Sequence, residues 1–183
     1  MSELMGKVIE FGGGQSPQFH PNVDIRPGPG VDIIANLEEP LSIEDMTYDA
    51  AWCSYALEHI SWRHIKDFLK EVCRILKPQG KFVVITANLK EQARIIASKE
   101  WGDPKDEFYE SRLVFGDLDF LENSHKCGLS PELAIKWFQE AGFGIVNIEP
   151  HPKCSTDMII RATKSAPIID RFTWIKNEIN MLS

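Results

Sequence analysis

The chain's first apolar run is stopped by three consecutive glycines, and this feature limits the possible folds more than any other. Residues 7–11 (Lys-Val-Ile-Glu-Phe) are typical of a short buried strand, and Gly12, Gly13 and Gly14 predict a sharp turn directly after it. The interval that follows, residues 15–21, contains two prolines and is too short for a full helix. Glycines at a strand end let the backbone approach a ligand closely, although a tight turn without a ligand explains them equally well.

The remaining elements follow in an order that is typical of an α/β protein. Further strands are predicted at residues 22–25, 31–34, 48–54, 81–86, 144–149 and 158–162. Helices are predicted at residues 62–76, 88–98 and 130–141, with a long loop at 99–128. Strands that come first and then alternate with helices predict a mostly parallel sheet, in which ligands bind beyond the carboxyl ends of the strands.

The turn after the first strand argues against a dinucleotide site. Such a site needs Gly-x-Gly-x-x-Gly at the start of a helix whose N-terminus receives the pyrophosphate. Here Pro17 and Pro21 follow the glycines, so a ligand without phosphates is predicted. Asp24 ends the second strand, where a carboxylate can accept hydrogen bonds from both hydroxyls of a ribose; a solvated strand-end aspartate is the alternative.

Three segments, in order, resemble motifs of the class I S-adenosylmethionine-dependent methyltransferases, and specifically of the methyltransferase type 11 group. Residues 10–14 match an acidic-x-Gly-x-Gly motif, residues 48–60 are similar to an FD-x-V…LEHI motif, and residues 74–80 are similar to an R-x-LKPGG motif. The resemblance runs from about residue 6 to residue 162. It implies an α/β fold with a Rossmann-like sheet that is mostly parallel, whose last strand is antiparallel, and whose helices after strands one and two are reduced to loops.

The resemblance also implies that the cofactor is S-adenosylmethionine. The residues that it places along the cofactor are Glu10, Gly12 and Gly14 at the methionine part, Asp24 at the ribose, Asn36 and Leu37 at the adenine, and Ser54 at the end of strand four. The family usually has aspartate where this chain has Asn36, but the asparagine oxygen can still accept a hydrogen bond from the exocyclic amine.

Two histidines are candidate catalytic residues. Because the sulfonium is already a strong methyl donor, the protein mainly aligns the acceptor and excludes water, and a general base is needed only when the acceptor must lose a proton. His59 lies next to the cofactor residues and His125 lies in the long loop; His20 is a third histidine that can reach the site. A packing role for His59 and a plain surface position for His125 stay open. The aromatic residues that can line an acceptor pocket are Trp101, Phe108, Tyr109, Phe115 and Phe120.

Composition narrows the partners and the compartment. The 183 residues are 43% hydrophobic and 26% charged, as in ordinary globular domains, and the formal charge of −7 disfavours nucleic acid as a partner. No run is long and apolar enough to cross a membrane and the N-terminus does not resemble a signal peptide, so we expect a cytoplasmic protein. The four cysteines lack metal-like spacing, so no metal site is predicted.

We expect residues 1–164 to form the methyltransferase domain and residues 165–183 to form an amphipathic helix that packs on the sheet or on a second subunit of a homodimer. The apolar stripe of this helix consists of Ile168, Phe172, Ile175, Ile179 and Leu182. The expected activity is methylation of a small molecule, a sugar or a glycan precursor. Two alternatives stay open: a weak or inactive cofactor-binding module that serves a protein partner, and methylation of protein or nucleic acid.

Overall fold

The computed structural model describes residues 4–98 and 107–166, which form one seven-stranded sheet with the strand order β3-β2-β1-β4-β5-β7-β6. The strands are β1 (Val8–Phe11), β2 (Asn22–Asp24), β3 (Ile33–Ile34), β4 (Tyr48–Ser54), β5 (Leu76–Ala87), β6 (Phe143–His151) and β7 (Cys154–Lys164). β1 to β5 pair in parallel, and β7 is antiparallel to both β5 and β6. The predicted sheet, mostly parallel with an antiparallel last strand, is therefore confirmed.

In the described part of the chain, all helices follow β4. They are α1 (Ile65–Ile75), α2 (Leu89–Ser98), α3 (Tyr109–Phe115) and α4 (Pro131–Glu140), with 3-10 turns at Leu57–His59 and Leu121–Asn123. Loops alone connect β1, β2 and β3, as predicted. The start of α4 also agrees with the sequence, since Ser130 accepts a hydrogen bond from the backbone N–H of Leu133 and Pro131 occupies the first turn.

The main core lies on the sheet face that α1 and α4 cover. Phe82 of β5 stands at its centre, with Phe138 of α4 stacked on it at 5.7 Å and Phe68 of α1 edge-on at 6.5 Å between ring centroids. Phe11 of β1 meets Phe68 at 5.2 Å. All four rings are buried, and each contributes roughly 1.5–3 kcal/mol through the apolar surface that it removes from water.

The opposite face carries a smaller cluster. Trp52, Val83 and Ile159 are buried there, and Leu4 and Phe19 are among the side chains that pack against them. The predicted amphipathic helix and its apolar stripe lie outside the described residues. In the described part of the chain, no helix is long and apolar enough to span a membrane.

Side chains, rather than helices, hold the two loops that join β1, β2 and β3. The side-chain oxygen of the buried Asn22 accepts a hydrogen bond from the N–H of Gly13 at 3.0 Å. Its side-chain nitrogen donates hydrogen bonds to the carbonyl oxygens of Gly14 and Gly30, each at 3.0 Å. Asp32 accepts the N–H of Asn22 at 2.7 Å. These bonds satisfy backbone groups that a helix would otherwise pair internally.

β5 begins earlier than the sequence predicts. Residues 77–80 were expected to be a turn before a strand at 81–86, but the strand starts at Leu76 and contains the turn as a bulge. Pairing with β4 moves from Tyr48 opposite Leu76 to Ala50 opposite Lys81. The turn conformation itself is present, since Gln79 has a φ of +64°.

Candidate functional site

A cleft of about 730 Å³, counting its open mouth, lies beyond the carboxyl ends of β1, β2 and β4. The position is where parallel sheets bind ligands. The described residues that line it are Gly12, Gly14, Asp24, Ile25, Arg26, Asn36, Leu37, Glu38, Tyr55, Ala56, His59, Ile60, Phe120, Glu122, Asn123 and Lys126. Five of the seven predicted cofactor residues and one of the two predicted catalytic histidines are thus brought together.

The two outer glycines of the turn have different roles. Gly12 has a φ of +72°, and a Cβ on it would lie 2.2 Å from the Cβ of Ala56, so it allows the turn to pack against the segment after β4. Gly14 has a φ of +57°, and no atom of the described residues lies within 4 Å of the position that its Cβ would occupy. Gly14 therefore leaves free the space at the wall of the cleft into which a side chain would project.

Asp24 presents a fixed carboxylate at the end of β2. One oxygen accepts the N–H of Gly14 at 3.0 Å and the other accepts the N–H of Arg26 at 2.9 Å. The side chain is 8% exposed and borders the cleft. Because a carboxylate oxygen has a second lone pair, both oxygens can still accept a bond from a ligand, and this geometry fits a ribose diol.

Glu10 has different partners from those that the resemblance implied. Its carboxylate is 3% exposed, and one oxygen accepts the N–H groups of Gln18 and Phe19 at 2.6 and 2.7 Å. Burial raises the pKa of Glu10, against the effect of these two bonds. Neither Glu10 nor Ser54 is among the described residues that line the cleft. The structure therefore gives Glu10 a part in holding the proline-rich loop, and its contact with the cofactor amino group stays a prediction.

Asn36 and Leu37 border the cleft where the resemblance places the adenine. The Asn36 side-chain oxygen accepts the N–H of Glu38 at 3.0 Å, so one of its two lone pairs is already used. Ile25, which is 43% exposed and also borders the cleft, adds an apolar surface that suits a flat ring.

The loop between α3 and α4 forms the outer wall of the cleft. Phe120 lies under the guanidinium of Arg26, with 3.7 Å between the guanidinium carbon and the ring centroid. Lys126 pairs with Glu38 at 3.6 Å. These two contacts connect the outer wall to the loops after β2 and β3.

Of the predicted acceptor aromatics, Phe120 alone among the described residues borders the cleft. Phe108 and Phe115 are exposed, at 62% and 58%, and Tyr109 is half-buried away from the cleft. Trp101 lies outside the described residues.

His59 and His125 are neighbours, with 5.2 Å between their ring centroids. His59 Nδ1 is 3.1 Å from the carbonyl oxygen of Ser124, and burial lowers the pKa of its ring. Next to them the buried Glu58 accepts a hydrogen bond from the Thr86 hydroxyl at 2.9 Å, and burial raises the pKa of this carboxyl. His20 lies apart from this group and pairs with Asp32.

Several cleft residues were not predicted from the sequence. Tyr55 has a φ of +52° and its hydroxyl donates to Asp157 at 2.8 Å; burial raises the pKa of this phenol. Ile25, Glu38 and Tyr55 each directly follow a residue that the sequence did indicate. The sequence signal that could have identified them is therefore their position directly after a predicted site residue, because residues just beyond the end of a strand lie at the same edge of the sheet.

Comparisons with known proteins agree with this geometry. The methyltransferase-domain family of the type 11 group matches residues 18–84. The fold is similar to an S-adenosylmethionine-dependent methyltransferase from Thermotoga maritima (20% identity over 88% of this chain and 83% of that one, TM-score 0.62). It is also similar to a protein from Pyrococcus horikoshii (18% identity, 90% and 84% covered, TM-score 0.63).

A third similar structure is a chain of the Haloferax volcanii complex between a methyltransferase activator and a methyltransferase (11% identity, 90% and 86% covered, TM-score 0.58). No curated protein sequence matches the chain. Together, the family match and the fold confirm the resemblance to class I S-adenosylmethionine-dependent methyltransferases. S-adenosylmethionine is the cofactor that this family and fold imply.

Proposed function

We propose that the cleft binds S-adenosylmethionine and that the protein transfers its methyl group to a small-molecule acceptor such as a sugar or a glycan precursor. The observation that carries the proposal is the pairing of Asp24 with Gly14 on one wall of the cleft. The carboxylate is held by two backbone N–H groups, and the glycine beside it leaves open space. A fixed acceptor for a diol next to an open turn is what a nucleoside with an amino-acid tail requires.

When bound, the cofactor supplies an electrophilic methyl group. The chain's own residues then have to hold an acceptor in line and keep water out. Phe120 and Arg26 are the residues that we propose for the second task, since both line the cleft and contact each other at 3.7 Å.

His59 and His125 are the residues that we propose for orienting or deprotonating the acceptor. His59 borders the cleft, and a proton on its Nδ1, donated to the Ser124 carbonyl, leaves a lone pair on Nε2. That nitrogen can accept a proton from a hydroxyl or amine. His125→Ala is expected to lower turnover and to leave cofactor affinity unchanged, and an equal loss of cofactor binding would remove this role.

Calorimetric titration tests the cofactor site. Asp24→Asn replaces a charged acceptor with a neutral one, so we expect S-adenosylmethionine to bind about tenfold more weakly, equivalent to about 1.4 kcal/mol. Asp32→Asn is the matched control, because Asp32 also accepts a backbone N–H but does not border the cleft. NAD is expected not to bind. Equal affinity of Asp24→Asn and the unchanged protein for S-adenosylmethionine would overturn the assignment.

The alternative function is a cofactor-binding module that serves a protein partner. The exposed apolar side chains of Phe115, Leu118 and Leu121, which lie close in sequence to the cleft residue Phe120, favour it, because such residues are typical of contact surfaces. The similar Haloferax volcanii chain comes from a complex with an activator protein. Cofactor binding without turnover on any acceptor, and turnover only after a partner protein is added, are the results that this alternative predicts.

A further inference from the structure

The structure brings one carboxylate and two imidazoles together from segments far apart in the chain. Glu58 and His59 lie in the 3-10 turn after β4, and His125 lies in the loop before α4. One ligand atom from each of the three side chains lies within 4.8 Å of the other two. Two imidazoles and a carboxylate form a ligand set that divalent transition metals take in proteins.

One ring nitrogen of His59 has the kind of partner that metal-binding histidines usually have. Its Nδ1 is 3.1 Å from the carbonyl oxygen of Ser124, and a proton there leaves Nε2 with a free lone pair. In metal sites the second ring nitrogen almost always donates to a carbonyl or carboxylate, which fixes the tautomer and the ring plane.

Glu58 is a buried carboxylate that is not paired with a lysine or arginine of the described residues. It is 4% exposed, its partner at one oxygen is the neutral hydroxyl of Thr86, and no lysine or arginine in the part of the chain that the structure describes forms an ion pair with it. The titratable groups that interact electrostatically with it are His125, the carboxyl of Asp157, the thiols of Cys53 and Cys127, and the phenol of Tyr55. Buried negative charge is costly unless a cation or metal accompanies it.

Backbone hydrogen bonds hold the two segments against each other. The Glu58 carbonyl oxygen accepts the N–H groups of Lys126 and Cys127 at 2.8 and 3.1 Å, and the N–H of His125 donates to the carbonyl of Phe115 at 2.9 Å. The three side chains are therefore positioned by the fold before any ligand is present.

We propose that Glu58, His59 and His125 bind one divalent transition-metal ion at the edge of the cleft. Three protein ligands leave at least one coordination position open, as in catalytic zinc sites and unlike closed structural ones. His59 also borders the cleft, so the ion lies beside the acceptor side of the site. This proposal goes beyond the proposed function: while an ion is bound, Nε2 of His59 is a metal ligand and does not also accept a proton from the acceptor, so the two roles of that nitrogen exclude each other. No metal site was predicted from the sequence.

The test is a titration of the untagged, metal-free protein with Co²⁺, followed by visible absorption and then by displacement with Zn²⁺, with no S-adenosylmethionine present. We expect one Co²⁺ per chain, displaced by Zn²⁺. His125→Ala and Glu58→Gln are each expected to lower metal affinity at least roughly tenfold. His151→Ala, which removes the histidine at the end of β6, is the matched control and is expected to leave metal affinity unchanged.

Absence of stoichiometric Co²⁺ and Zn²⁺ binding by the unchanged protein would overturn the proposal. It would also be overturned if His125→Ala and Glu58→Gln both bound Co²⁺ as tightly as the unchanged protein. Far-ultraviolet circular dichroism checks that each variant is folded. If Glu58→Gln does not fold, the half-buried His125→Ala decides the question alone. Because the titration contains no cofactor, its failure is distinct from failure of the calorimetric test with S-adenosylmethionine.

Discussion

The two outer glycines of the turn after β1 should respond differently to the same substitution. In Gly12→Ala the new methyl group would lie 2.2 Å from the Cβ of Ala56, whereas carbon atoms normally approach to about 3.5–4.0 Å. Overpacking of this kind costs about 1–3 kcal/mol, and a positive φ costs a non-glycine residue a further 1–2 kcal/mol or so. We therefore expect Gly12→Ala to lose about 2–5 kcal/mol of unfolding free energy.

In Gly14→Ala the new methyl group would contact no other atom of the described residues within 4 Å, so there is no packing cost. The cost of the positive φ of +57° remains, about 1–2 kcal/mol of unfolding free energy. Its methyl group projects at the wall of the cleft, where we place the methionine part of the cofactor. The variant is expected to fold and to bind S-adenosylmethionine at least roughly tenfold more weakly, a loss of about 1.4 kcal/mol.

Urea unfolding measures the first effect and calorimetric titration the second, on the same pair of proteins. If Gly14→Ala binds the cofactor with unchanged affinity, the cofactor does not lie against this turn. If Gly12→Ala is as stable as Gly14→Ala, the close packing of the turn on Ala56 is wrong.

Three further predictions concern stability. Gln79→Gly relieves a positive φ in the β5 bulge and should raise the urea midpoint by an amount equivalent to about 0.5–1 kcal/mol, whereas Gln79→Ala should not; equal midpoints would refute this. Burial raises the pKa of Glu10 in the folded protein, so protonation of this carboxyl stabilises the folded state, and that stabilisation is lost as the pH rises from about 4.5, the unfolded value, through the folded value. The unfolding free energy of the unchanged protein should therefore fall more steeply over this pH range than that of Glu10→Gln. Equal losses in the two proteins would contradict the buried position of this carboxyl. Removal of residues 167–183 should lower the melting temperature or change the mass measured by light scattering; no change in either would dismiss the proposed packing of this segment.

Sequence patterns predicted the helices whose signals lie within the helix itself or at its first residues. The spacing of Ile65, Phe68 and Val72 indicated α1, and Ser130 with Pro131 indicated the start of α4. The bulge in β5 was missed because residues 77–80 do adopt a turn conformation, and their inclusion in a strand depends on pairing with Tyr48, about thirty residues away.

In the candidate site, too, the sequence predicted what depends on nearby residues and missed what depends on distant segments coming together. The strand-end rule predicted that Gly14 and Asp24 lie together, and both line the cleft, because the carboxyl ends of parallel strands share one edge of the sheet. The motif around Glu10 implied a ligand contact, but its buried carboxylate bonds the N–H groups of a loop whose path the motif does not specify. The meeting of Glu58 with His125 leaves no spacing signal at all, because it depends on how the loop before α4 returns to the end of β4.

The loops that replace helices between β1, β2 and β3 also have a thermodynamic consequence. They are closed by a few side chains, Asn22 foremost, rather than by repeated helical hydrogen bonds. Opening them breaks fewer contacts than unfolding the phenylalanine core, so we expect this half of the cleft to open locally at a lower free-energy cost than the core. A ligand that binds only the closed form adds RT ln(1 + [L]/Kd) to its stability, about 2.7 kcal/mol at a hundredfold excess over Kd. Hydrogen exchange slowed by cofactor across residues 12–32, with the rates in α1 and α4 nearly unchanged, is the signature of that coupling.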